Sequence, residues 1–269
     1  MILFPGCKIN LGLSILDKRK DGYHNLESIF LPVPLFDSLE FIESDSFSFN
    51  CNLEIDDEKS NSIIKAYQLL SKDFELPPIT IYLHKQIPMG AGLGGGSSNG
   101  ALMLVGLNNH FSLGLTNEEL EQYALQIGSD CPFFVENKPK LVHGVGEILE
   151  DYPIDLTGMY LQLVNPEIHI STRDAFEGLV IKSTPNPALS DVVSSSPISD
   201  WRNLIFNDFE TPIFKKHPEI KKIKETLYAQ GANFALMTGT GSTVFGLFEK
   251  EPNTLDWPEH YFIRTIKLG

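Results

Sequence analysis

The stretch Pro88-Met89-Gly90-Ala91-Gly92-Leu93-Gly94-Gly95-Gly96-Ser97-Ser98-Asn99 joins a predicted strand to a predicted helix. Before it, Ile79, Ile81 and Leu83 alternate with polar residues, the period of a strand with one apolar face. After it, residues 97–109 read as a helix. Five glycines within seven residues let the backbone approach a ligand closely and aim its N–H groups at it. The following helix adds its unpaired N-terminal N–H groups and the positive end of its dipole, a natural seat for phosphate. Ser97 and Ser98 add hydroxyls suited to a phosphate oxygen or a magnesium ion.

Other glycine-rich motifs fit less well. Gly90-x-Gly92-x-x-Gly95 matches a dinucleotide fingerprint literally, but that motif wants an acidic residue at a strand end about twenty residues on. Glu118 and Glu119 stand there, inside a predicted capped helix. No Gly-Lys pair occurs, which excludes the Walker loop, and neither His-Arg-Asp nor Asp-Phe-Gly is present, which excludes a protein kinase. A turn without a ligand would carry a large entropic cost for no packing gain.

Toward the N-terminus, Ile9, Leu11, Leu13 and Ile15 alternate over 8–16 as a strand with one apolar face, and Asp21-Gly22 signals a turn into an extended run over 24–33. Further strands are expected at 39–43 and 47–55. Ile63, Tyr67, Leu70 and Phe74 predict a helix over 62–74, stopped by Pro77-Pro78. Thr116 and Glu119 form a capping-box signature for a helix over 116–127. Asp130 precedes a short apolar segment, 132–135, expected to be extended, with a strand near 141–149. The second half reads as strands at 159–164, 234–237, 243–248 and 261–267, with helices at 172–179 and 218–230. The Pro- and Ser-rich stretch 183–197 is expected to be an exposed loop. The class is α+β, with a domain boundary expected near residue 155.

The 269 residues carry a formal charge of −14, which argues against a broad nucleic-acid surface. The charge is uneven: residues 1–155 hold 10 Lys and Arg against 22 Asp and Glu, whereas 156–269 hold 11 against 13. Nucleotide binding by such a chain needs locally focused positive charge. No run approaches the length of a membrane span, and the order of apolar and basic residues at the start is wrong for a secretory signal; a cytoplasmic protein is expected. Cys7, Cys51 and Cys131 lack the spacing of a zinc or disulfide framework.

With dinucleotide, Walker and protein-kinase loops set aside, Pro-x3-Gly-Leu-Gly-x-x-Ser-Ser resembles the GHMP kinase superfamily, and the expanded glycine run resembles its diphosphocytidyl-methylerythritol kinase family. Lys8-Ile9-Asn10-Leu11, Asp21-Gly22-Tyr23-His24, 128–134 (Gly-Ser-Asp-Cys-Pro-Phe-Phe), Gly144-Val145-Gly146-Glu147 and Thr238-Gly239-Thr240-Gly241-Ser242 fit family motifs in the same order. Ser129 and Gly100 stand where that family usually has alanine. The resemblance covers nearly the whole chain. It implies an N-terminal α/β domain (1–155) with the ATP loop, a ferredoxin-like C-terminal domain (156–269), and an active site between them. The implied reaction is phosphorylation of the 2-hydroxyl of 4-diphosphocytidyl-2-C-methyl-D-erythritol by ATP with Mg2+, in non-mevalonate isoprenoid synthesis. GHMP relatives acting on mevalonate, homoserine or a sugar, and a non-catalytic nucleotide binder, are the alternatives. A monomer or weak homodimer is expected.

The resemblance assigns roles that the residue chemistry can carry. Asp130 becomes the base that accepts the hydroxyl proton. Lys8, in a strand where a solvated lysine would be ordinary, pairs with Asp130 and neutralises charge on the transferred phosphate. Asn10 orients substrate. Tyr23 and Phe176 stack on cytosine, His24 bonds its edge, and Thr172, Gly239 and Thr240 line the substrate side. ATP falls to Lys85, Pro88, Met89, Gly90, Ala91, Gly92, Leu93, Gly94, Gly95, Gly96, Ser97 and Ser98, with Ser98 a magnesium ligand.

Overall fold

The computed structural model describes residues 1–54, 61–179, 181, 187–253 and 257–269. In chain order these form β1 (Ile2–Leu3), β2 (Gly6–Lys18), β3 (His24–Phe36), β4 (Ser38–Glu43), β5 (Ser48–Cys51), α1 (Ser62–Asp73), β6 (Ile79–His84), α2 (Gly95–Phe111), α3 (Asn117–Leu125), α4 (Phe133–Glu136), β7 (Lys140–His143), β8 (Ile148–Asp151), β9 (Tyr160–Asn165), α5 (Thr172–Glu177), α6 (Leu189–Ser195), α7 (Trp201–Leu204), α8 (Glu210–Lys216), α9 (Pro218–Ala229), β10 (Phe234–Met237), β11 (Val244–Phe248) and β12 (Phe262–Lys267). They divide into two compact units, one of Met1–Lys8, Pro32–Met89 and Gly94–Lys138, the other of Ile9–Leu31, Gly90–Leu93 and Pro139–Gly269.

The first unit holds a sheet in the order β1-β4-β6-β5. β4 and β6 pair antiparallel, with Leu39 opposite Leu83 and Phe41 opposite Ile81. These four and Ile79 are buried, while Glu40, Tyr82 and His84 point outward, so the period-2 pattern names the core face. Each fully buried side chain of this kind contributes about 1.5–3 kcal/mol. α1 begins at Asn61, whose side chain accepts from Ile63 N, and buries Ile63, Ile64, Ala66 and Leu70. The capping box of α3 forms as expected, Thr116 bonding Glu119 N while the Glu119 carboxylate bonds Thr116 N. α1 packs on α2 at Gly100, where a Cβ would stand 2.8 Å from Ser62 Cβ and 3.1 Å from Ser62 O. This close approach leaves no room for a side chain at Gly100.

The second unit contains the antiparallel sheet β10-β11-β9-β12. Its inner strands β9 and β11 are almost wholly buried. Leu13, Val164, Ile170, Phe209, Ile213, Ile220, Ile223, Leu227 and Phe248 belong to one apolar cluster beneath α5, α8 and α9. A further sheet runs β2-β3-β7-β8, with Ser28 opposite Val142; β2 and β3 contribute residues to both units.

Several expectations need correction. The segment 132–135 is helical rather than extended: Pro132, at φ −55°, leads into α4, and proline's fixed φ suits a helix start. Within 183–197, Leu189–Ser195 is a helix that buries Leu189 and Val192, an apolar pair at i and i+3 hidden among serines; 183–186 lie outside the described residues. The strand expected over 47–55 is Ser48–Cys51, with Ile55 outside the described residues. The stretch 141–149 is a hairpin, with His143 opposite Ile148. β2 is buried on both faces from Gly6 to Leu13, so its polar members Lys8 and Asn10 are core residues.

Candidate active site

In the first unit, Lys8 lies 3% exposed on β2, and its Nζ stands 3.3 Å from Asp130 Oδ2. The two side chains differ in access: 4% for the lysine against 32% for the aspartate. A buried ammonium thus lies beside a carboxylate that is itself accessible. Burial pushes the neighbouring Cys131 thiol up to about 12.

The stem of Lys8 also supports the glycine loop. Gly94, the N-cap of α2, adopts a left-handed conformation at φ 69°. A Cβ there would meet Phe134 Cζ at 2.9 Å and Lys8 Cε at 3.2 Å. No side chain caps α2 and no acidic residue sits in its first turn, which leaves the first-turn N–H groups and the dipole to an anion. Gly96 is exposed, and a Cβ added to it would meet nothing within 4 Å. Ser98 is fully buried, and its hydroxyl has no hydrogen-bond partner among the described residues. A buried hydroxyl left this way is costly unless a ligand completes it. At Gly95 a Cβ would meet Ile87 Cγ2 at 2.8 Å, so packing requires this glycine, whatever occupies the loop. Lys85 is buried in a bond network with Asp37 and Asn99 rather than spread on the surface.

In the second unit, residues 90–93 of the same loop dock on 238–243. A Cβ on Gly92 would fall 2.2 Å from Thr238 O, and Thr243 N donates to Ala91 O at 3.3 Å. Asn10 N donates to Thr238 Oγ1 at 3.0 Å, and Asn10 Nδ2 donates to Ser28 Oγ at 2.9 Å. Gly239, at φ 56°, stands with its would-be Cβ 3.6 Å from Asn10 Oδ1, while Thr240 is half-buried. Asn207 fixes this turn by donating to Met237 O at 2.7 Å and Gly239 O at 2.8 Å. Sequence reading missed both Asn207 and Ser28, which belong to no motif.

The Asp21-Gly22 turn presents Tyr23 at 65% exposure, its N–H held by Asp21 Oδ1 at 3.1 Å. Phe176 stacks on His24, with centroids 4.8 Å apart and planes at 24°, and it also meets Phe209 edge-on. Burial, and then the charge of Lys18, holds the His24 imidazolium below the ordinary histidine range, against an opposing pull from Asp17. Thr172 opens α5 and is exposed. No group of three or more His, Cys, Asp and Glu placed to hold a metal occurs among the described residues. No helix among them is long and apolar enough to cross a membrane.

The family models that match are those of the GHMP kinases, the N terminal domain over residues 61–138 and the C terminal domain over 193–254. A 4-diphosphocytidyl-2-C-methyl-D-erythritol kinase of Bacteroides fragilis is 49% identical over 257 residues, 93% of each chain. The protein of that name from Azobacteroides pseudotrichonymphae is 47% identical across 98% of this chain and 100% of its own. A crystal structure of 4-(cytidine 5'-diphospho)-2C-methyl-D-erythritol kinase superposes with a TM-score of 0.77 at 28% identity, covering 92% of this chain and 90% of the other. The chain belongs to the 4-diphosphocytidyl-2-C-methyl-D-erythritol kinase family of the GHMP kinases.

Proposed function

We propose that this protein transfers the γ-phosphate of ATP to the 2-hydroxyl of 4-diphosphocytidyl-2-C-methyl-D-erythritol, a step in isoprenoid precursor synthesis carried out in the cytoplasm. The observation that carries the chemistry is the buried Lys8 beside the accessible Asp130 carboxylate. Family membership supplies the substrate. C2 of that substrate also bears the methyl group, so the nucleophile is a tertiary alcohol, crowded and weakly acidic. Asp130 accepts its proton as the oxygen attacks the γ-phosphorus and ADP leaves. Lys8 holds the Asp130 side chain in place and stabilises the charge on the transferring group. The first turn of α2 and residues 88–98 hold the phosphates, and Asn10, with Gly239 and Thr240, orients the alcohol. The functional division is kept at 1–155 and 156–269, with one matched GHMP model on either side.

The orphaned Ser98 hydroxyl fits an oxygen-seeking cation. Magnesium bound with ATP would draw on Ser98 and neutralise phosphate charge. With labelled ATP, the cytidyl alcohol is expected to be the accepted substrate, and mevalonate and homoserine to be refused; preferential labelling of either of those would overturn the substrate assignment.

Base recognition divides into affinity and selectivity. Stacking is worth about 1–3 kcal/mol per base and tolerates any base, whereas hydrogen bonds to the ring edge discriminate. Tyr23→Ala is therefore expected to raise the KM for the cytidyl alcohol about tenfold, with ATP unaffected. Phe176→Ala is expected to do the same and also to lower the melting temperature, because Phe176 packs on Phe209. An unchanged KM together with a lowered melting temperature would make Phe176 a core residue only.

His24 must remain neutral to present one donor and one acceptor. Its lowered pKa keeps it so at neutral pH. Affinity for the cytidyl alcohol should stay flat through neutral pH and fall only below the ordinary histidine range. His24→Ala should remove that acid limb and narrow the preference for cytidyl over uridyl analogues; an acid limb that persists in the variant would contradict the role.

A further inference from the structure

The glycine loop leaves β6 at one end and enters α2 at the other, and one buried carboxylate holds both ends. Asp37 is fully buried between β3 and β4, its own N–H bonded to Pro5 O at 2.9 Å. Its Oδ1 accepts from Gln86 N at 2.8 Å and Ile87 N at 2.9 Å, the residues at which the chain turns from β6 into the loop. Its Oδ2 accepts from Lys85 Nζ and from Asn99 Nδ2 at 2.9 Å. The ring is closed by Lys85 Nζ, which donates to Asn99 Oδ1 at 3.1 Å. Asn99 lies one helical turn beyond Gly95, the first residue of α2. The same two ends also approach on the apolar side, where a Cβ added to Gly95 would stand 2.8 Å from Ile87 Cγ2.

We infer that Asp37 and Asn99 are positioning residues for nucleotide binding, setting the span across which residues 88–94 must close. The inference rests on the nucleotide reading of that loop. A loop with fixed ends loses less freedom when its N–H groups converge on phosphate, and affinity rises because that ordering is already complete. A network that served only the core could have been replaced by apolar residues at little cost. Here all four acceptor directions of Asp37 are spent on the two loop ends. Lys85 is thereby committed to the ring, so it acts on ATP through loop position rather than as a mobile surface cation.

Asn99→Ala tests this, since it removes one side of the ring and leaves the Asp37–Lys85 pair in place. Calorimetry with ADP should show Kd raised about tenfold. The KM for the cytidyl alcohol should stay within about twofold, and the apo-protein should melt only a few degrees lower. Asn99→Ser should shift ADP affinity in the same direction, and it serves as the test if the alanine variant fails to fold. A folded Asn99 variant whose ADP affinity equals that of the wild type would overturn the inference, as would parallel losses in ADP and alcohol affinity. Because ADP binding is read without turnover, a wrong alcohol substrate leaves this result readable.

Discussion

Asp130→Asn is expected to lower kcat by about 10²–10⁴-fold, the usual contribution of a positioned general base, while ATP affinity and the fold survive. The substitution keeps the shape of the side chain and removes only the charge and the proton acceptor. Its site tolerates the change, since the carboxylate is about a third exposed. The partner variant needs more care. Lys8→Ala would remove the ammonium together with a stem that packs beneath Gly94, so ATP binding would suffer for reasons unrelated to charge. Lys8→Met keeps most of the stem and isolates the charge. It should lower kcat to a similar extent, with a smaller change in ATP affinity than Lys8→Ala. Near-normal turnover in folded Asp130→Asn or Lys8→Met, checked by circular dichroism, would remove the pair from the mechanism.

Gly92→Ala is the second large effect, expected because of a single carbon. Its Cβ would lie 2.2 Å from Thr238 O and 3.1 Å from Gly241 O, and those are backbone atoms that cannot rotate away. The left-handed backbone at φ 76° adds about 1–2 kcal/mol against any L side chain. Overpacking adds about 1–3 kcal/mol. The loop is the part able to yield, held here by bonds such as Thr238 Oγ1 to Gly92 O at 3.2 Å. Its displacement should lower kcat/KM for ATP by about 100-fold, since an ångström of misplacement near a reacting group can cost that much. Gly96→Ala is the control for stability, because its Cβ would meet nothing within 4 Å. It should leave the apo-protein's melting temperature unchanged. Equal ATP kinetics in Gly92→Ala and the wild type would show that the loop is not held by 238–243.

The sequence carried the elements whose signal is local. Alternation placed β6, the Thr116 and Glu119 capping box placed α3, and the glycine run placed the start of α2 within two residues. Lys8, Asp130 and the 238–242 turn were found because they lie in ordered motifs. What escaped depends on partners distant in sequence. Asp37 looks like an ordinary turn aspartate until β6 and α2 bring Lys85, Gln86, Ile87 and Asn99 to it. Asn207 has no local mark, yet it ties down Gly239. Leu189 and Val192 are too few to show helical periodicity among serines, and only their burial makes α6 intelligible. The burial of Lys8 and Asn10 has no local mark either, since both stand in a strand whose polar positions would ordinarily be solvated, yet both are buried.

The oxygen that receives the phosphate can be read by phosphorus NMR from the product of the reaction with ATP and 4-diphosphocytidyl-2-C-methyl-D-erythritol. C2 carries no hydrogen, so a phosphate on the 2-oxygen should appear as a new phosphomonoester resonance without three-bond coupling to a proton, growing as ADP forms. A new resonance split by one proton, from the 3-oxygen, or by two, from the 1-oxygen, would contradict the account, as would ATP loss yielding only inorganic phosphate.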